Sequence, residues 1–218
     1  MPDFETNAQF ETNAQFEANA LFGAYGEILD EKPDAIAVIQ GGSKYPDIRG
    51  EVWLYQLKSG VLVAAEVYGL PKQEGQCDSR IFGFHLHDGD SCMSSALIQP
   101  RNENMQNNAM PMPRNSNTQN NATPMQNNGM MHANDPFPLS GAHYNPGACE
   151  HPHHAGDLPP LLGCNGYAMS VFLTDRFLVD DVIGKTLILH DRPDDFKTQP
   201  AGDAGEKMAC GVIQSVLR

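Results

Sequence analysis

Residues 143–158, HYNPGACEHPHHAGDL, place four histidines and an aspartate within sixteen residues. A surface loop has no structural need for so much imidazole. Three imidazoles and one carboxylate make a tetrahedral zinc set, and imidazole-rich sites also suit copper. The loop candidates are His143, His151, His153, His154 and Asp157. A second set begins with His85 and His87 in GFHLH. Residues i and i+2 of a strand project to one face, so both rings point the same way and supply half of a first-row metal site. His190, closing KTLILH, can join them from a neighbouring strand. Taken singly, an HxH strand pair is weak evidence for a metal, and the loop has the alternative reading of a solvated His-rich segment that takes up metal adventitiously.

These donors need elements to hold them. AIAVIQ (35–40), EVWLYQL (51–57), VLVAAEVYGL (61–70), IFGFHLH (81–87), YAMSVFL (167–173), KTLILH (185–190) and ACGVI (209–213) are rich in β-branched and aromatic residues. Gly, Pro, Asp and Ser separate them, the pattern of short strands and turns. The GG, KSG and DGD breaks predict hairpin connections. No amphipathic run is long enough for a substantial helix. Seven or eight strands in about 150 ordered residues predict an all-β antiparallel sandwich or barrel.

Two segments do not read as globular. FETNAQ-FETNAQ-FEANAL places Phe4, Phe10, Phe16 and Phe22 six residues apart. A helix would scatter these rings, whereas an extended chain would align them on one face. Residues 1–30 are read as a disordered, repeat-bearing extension. Residues 101–134 are rich in Asn, Gln and Met, with a repeated MQNN[AG]M, and bury too little to offset their ordering entropy. The expected domain therefore spans 31–218, interrupted by this insert.

The net charge of −13 makes nucleic acid a poor partner. No apolar run is long enough for a membrane span. MPDFETNAQF lacks the charged start and apolar stretch of a secretory leader. A cytoplasmic location is expected as written, with extracytoplasmic or coat-associated placement left open. Five cysteines are too few for a disulfide scaffold and too scattered for a CxxC knuckle.

Together, GFHLH, HYNP, HPHHAGDL, LILHDRPDDF and GDAGEKMACGVI occur in one order, and in this they resemble the copper–zinc superoxide dismutases over residues 33–214, the insert excluded. The resemblance implies a Greek-key β-barrel of about eight strands with long metal-binding loops, of a bacterial type whose zinc and electrostatic loops are short. It implies copper on His85, His87, His143 and His190, and zinc on His143, His151, His154 and Asp157, with His143 shared by both metals. His153 is then the spare of the cluster. Asp194 matches the family's outer carboxylate, which links a copper histidine to a zinc histidine and so orients both rings. Cys92 and Cys210 match its intrasubunit disulfide. Cys149 and Cys164, bracketing the zinc loop, are left open as a second bridge, and Cys77 is expected to be free.

The implied activity is dismutation of superoxide, with copper carrying the electron and His143 a proton. Lys207 stands where the family normally has an anion-guiding arginine. A lysine keeps the charge but loses the planar fork. Lys197 and Arg192 are further local cations. A homodimer and a copper donor are left open as partners. The Met-rich insert (Met110, Met112, Met130, Met131, with His132) motivates an alternative, a copper-binding or copper-delivery module. The low-complexity tracts motivate another, a coat-associated structural protein. A complete copper ligand set favours the enzyme over both.

Overall fold

The computed structural model describes residues 26–72, 75, 80–93 and 135–217. The Phe hexads, Cys77 and the insert at 101–134 lie outside them. Residues 26–30, the end of the expected extension, form a helical turn. Its Leu29 carbonyl accepts a hydrogen bond from the Tyr55 hydroxyl at 3.4 Å.

Among the described residues nine strands follow: β1 Ala35–Gly41, β2 Arg49–Leu57, β3 Gly60–Tyr68, β4 Ile81–Phe82, β5 Phe84–His87, β6 Leu161–Leu162, β7 Tyr167–Thr174, β8 Thr186–His190 and β9 Lys207–Ser215. All pairings are antiparallel. Seven strands form one sheet in the order β5-β8-β9-β1-β2-β3-β7, and β4 pairs with β6. After the β1–β2–β3 meander the chain crosses to the far edge for β5, returns beside β3 for β7, then crosses back for β8. These are Greek-key crossings. The β4–β6 pair joins the segments leading into the two edge strands, so the sheet curls towards a barrel.

Three sequence expectations need correction. IFGFHLH is not one strand: Gly83 turns its backbone to residues 190 and 192, donating to the Arg192 carbonyl and accepting from the His190 amide, both at 2.8 Å. Only KSG makes a tight hairpin, with Leu57 opposite Gly60. GG opens a longer loop, and DGD leaves the sheet towards Ser140, whose carbonyl accepts the Gly89 amide. Strand β6 was not predicted, because two residues carry no period.

The core lies inside the curl. Strand β1 alternates buried and more exposed positions, as a half-buried strand must. Strands β5 and β8 are buried at every position. Their inward residues Phe84, Leu86, Leu187 and Leu189 join the main core. Their outward residues are covered by the long loops, where Ile188, Phe137 and Cys210 form a second, smaller cluster. Burial on both faces is what allows polar side chains on the outer face to be taken out of water.

The Cys92–Cys210 disulfide is formed and spans 118 residues of sequence. Closing a loop of that size is worth roughly 4–5 kcal/mol in the chain-entropy description. Cys149 and Cys164 are free and exposed, so the second bridge is absent.

Candidate metal centre

The β5–β8–β9 register aligns His85 with Ile188 and Cys210, and His87 with Thr186. Phe84 opposite Leu189 belongs to the inner row, so both histidines of GFHLH face outwards. His190 follows Thr186 and Ile188 on the same face of β8, where a bulge sets it beside Lys207 of β9.

The other edge of β5 is taken by the loop. The Leu86 amide donates to the Gly156 carbonyl at 2.9 Å, and the Leu86 carbonyl accepts the Tyr144 amide at 2.8 Å. This places His143 opposite His87 and Asp157 opposite His85. Gly156 is needed here, because a Cβ on it would stand 2.2 Å from the Leu86 carbonyl oxygen.

The result is two donor sets, His85 with His87, His143 and His190, and His143 with His151, His154 and Asp157. Within each set the donor atoms lie within 4.8 Å of one another, and every residue is buried. His143 belongs to both. His153, although in the same sequence cluster, is exposed and stands in neither.

Partners outside the sets fix the rings. The His87 Nδ1–H donates to the Gly141 carbonyl at 2.9 Å, and the His190 Nδ1–H points to the Gly205 carbonyl at 3.3 Å. The Asp194 carboxylate accepts from His85 Nε2 at 2.7 Å on one oxygen and from His151 Nε2 at 2.9 Å on the other. It thus ties one histidine of each set to the other. Gly202 (φ +65°) leaves it room, since a Cβ there would fall 2.0 Å from Asp194 Oδ1 and 2.7 Å from His151 Nε2.

These contacts leave specific atoms unsatisfied. Nδ1 of His85 and Nε2 of His87, His143 and His190 are buried with no hydrogen-bond partner, and Nδ1 of His151 has none either, although it lies 3.1 Å from Asp157 Oδ2. Buried polar atoms are normally paired, because leaving one bare forfeits its hydration. Four bare imidazole lone pairs in one set are a fit for a cation with nitrogen preference such as copper. The second set adds a carboxylate to three imidazoles, the tetrahedral zinc composition.

Electrostatics agree. Burial, then the neighbouring imidazoles, push His87 and His190 well below the usual histidine range, and burial also lowers His85 despite its bond to Asp194. In all three the neutral imidazole, the form that can donate a lone pair to a metal, is favoured. Burial works to raise the Asp157 pKa, but hydrogen bonds from His143 and the His154 amide outweigh it and hold Asp157 at about 2. It is an anion at any working pH.

Several supporting residues were not found from the sequence. Arg176, just after β7, donates from Nη1 to the carbonyls of Asp157 at 2.9 Å and His154 at 3.1 Å, gathering the His-rich loop onto one guanidinium. Gln199 accepts the His151 amide and donates to the His151 carbonyl, at 3.0 and 2.7 Å. Neither residue belongs to a local pattern, so no spacing could flag it. Two of the expected local cations are paired: Lys207 with Asp135 at 2.7 Å and Arg192 with Asp203 at 3.1 Å.

Among known proteins, the chain matches the copper/zinc superoxide dismutase family over residues 48–213. It is 35% identical to a copper–zinc superoxide dismutase of Deinococcus radiodurans over 37% of this chain and 52% of that protein, about half its length. It is 24% and 27% identical to two such enzymes of Aquifex aeolicus, over 77% and 84% of this chain and 80% and 88% of theirs. The match spans well over half of the sequence and includes every residue of both donor sets, and the chain belongs to the copper/zinc superoxide dismutase family.

Proposed function

We propose that His85, His87, His143 and His190 hold copper, that His143, His151, His154 and Asp157 hold zinc, and that the pair of sites dismutates superoxide. The observation that carries this reading is the set of four buried, unpartnered imidazole nitrogens converging from β5, β8 and the loop. Bound copper supplies one-electron oxidation and reduction, while bound zinc supplies fixed charge and structure. Two superoxide anions and two protons give one dioxygen and one hydrogen peroxide.

The remaining work falls to the protein. His143 is the residue with one nitrogen towards each set, Nδ1 beside Asp157 at 2.7 Å and Nε2 bare on the copper side. Nε2 is the atom that can take up and release a proton while Nδ1 keeps the ring on the zinc side. Asp194 restrains that exchange by holding His85 and His151 at fixed orientation. Lys207 provides positive charge beside His190 for an incoming anion. The Cys92–Cys210 bridge, tying the segment after β5 to β9, favours an oxidising compartment. No helix among the described residues is long and apolar enough to cross a membrane.

The test is dismutation by protein loaded with both metals, with copper and zinc counted per chain. One of each per chain, with turnover that disappears on copper removal, is the expected result. Copper binding without turnover would instead indicate a carrier.

A further inference from the structure

We propose that Asp135 is a positioning residue for superoxide dismutation, fixing Lys207 at the copper-side donor set while cancelling much of its attraction for anions. The inference rests on the functional reading above and deepens it. Lys207 begins β9 directly opposite His190, and its charge is felt at both His87 and His190, where it disfavours their protonated forms. Its Nζ donates to Asp135 Oδ2 at 2.7 Å and to the Phe137 carbonyl at 3.3 Å. The other Asp135 oxygen accepts the Phe137 amide at 2.8 Å, locking the carboxylate into its own turn. Phe137 in turn packs on Ile188 and Cys210, beside the disulfide. The ammonium and carboxylate are only 15% and 19% exposed.

A lysine lacks the rigid fork of an arginine, and its flexible stem needs an external anchor to keep the ammonium in one place. Asp135 and the Phe137 carbonyl provide that anchor. The same contact turns a single positive charge into an ion pair. A pair's field falls off faster than that of a lone charge, so superoxide is drawn less strongly from a distance. Arg192 is held the same way by Asp203, two hydrogen bonds at 3.1 Å, which leaves it little to add.

The experiment compares wild type with Asp135→Asn, which keeps the oxygen for the Phe137 amide and removes the charge. Azide, titrated by the visible spectrum of copper-loaded protein, serves as the anion probe alongside kcat/KM over a range of ionic strength. Asp135→Asn is expected to bind azide about fivefold more tightly, the size of one charge removed at close range in a largely aqueous setting. Its kcat/KM should rise, with a steeper fall as salt is added. Relative to wild type both gains should disappear in Lys207→Met/Asp135→Asn, which lacks the positive charge that the carboxylate offsets. Asp135→Ser, which also retains an oxygen, is measured alongside in case the amide disturbs the turn.

Unchanged azide affinity and salt slope in copper-loaded, active variants overturns the inference and leaves the dismutase reading intact. A gain over wild type that persists undiminished in Lys207→Met/Asp135→Asn also overturns it, because the lysine would then have no part in it. Wild-type protein that takes up no copper overturns the dismutase reading itself.

Discussion

The two donor sets are built in opposite ways. Three histidines of the set His85, His87, His143 and His190, the proposed copper ligands, stand on strands, and their meeting depends on ladders between segments about a hundred residues apart. The zinc-side set comes entirely from residues 143–157, within one loop. The strand set inherits its geometry from pleat and register, so its rings are fixed by the barrel. The loop set must be gathered by contacts that the barrel supplies, namely Leu86 on β5, Arg176 after β7, and Asp194 and Gln199 on the β8–β9 connection. A site written locally in sequence is thus the one that depends more on outside support for its shape.

The largest effect should come from the residue the two sets share. His143→Ala removes a ligand from each set at once. Dismutation should fall by more than the roughly 10–100-fold typical of losing an outer partner. The check is the rate together with copper and zinc content. A variant retaining wild-type rate and copper spectrum would show that the sets do not communicate through this ring.

The next two substitutions separate the sets. Asp157→Ala deletes the anionic donor of the loop and should strip zinc while leaving copper bound through His85, His87 and His190. His87→Ala should do the reverse. Metal counting on both variants decides the matter. A full zinc per chain in Asp157→Ala would point to another donor, and His153 would be examined first.

The smallest effect sharpens the comparison most. Arg176→Gln touches no donor atom and removes the clasp on the Pro152, His154 and Asp157 carbonyls. Zinc affinity, measured by chelator competition, should drop roughly tenfold, at the lower end for an outer partner. Copper affinity should not change. An equal loss at both metals would mean that Arg176 supports the barrel as a whole.

Much of this was legible because it depends on short range. The alternation of β-branched and polar residues marks strands, and a two-residue spacing puts His85 and His87 on one face whatever else the chain does. The HPHHAGD cluster points to a metal site by its density of imidazole and carboxylate. Resemblance in five ordered motifs added the division into two metals and singled out His153 as the spare. The two-residue strand β6 and the break at Gly83 were not legible, because both are created by partners distant in sequence. For the same reason nothing in GEKMACGV announced that Lys207 would be paired with Asp135, which stands at the far side of the Asn/Gln/Met-rich insert.

By itself, then, the sequence determined an antiparallel β protein carrying one strand-borne and one loop-borne group of imidazoles. Only the tertiary structure decided which nitrogens are left bare, that Cys149 and Cys164 stay apart, and that Lys207 and Arg192 are each paired with a carboxylate. The reason is physical. Residue type and spacing set which face a side chain occupies. The partner of each ring nitrogen, carboxylate and ammonium is set by burial and by ladder register across long separations, which no local pattern encodes.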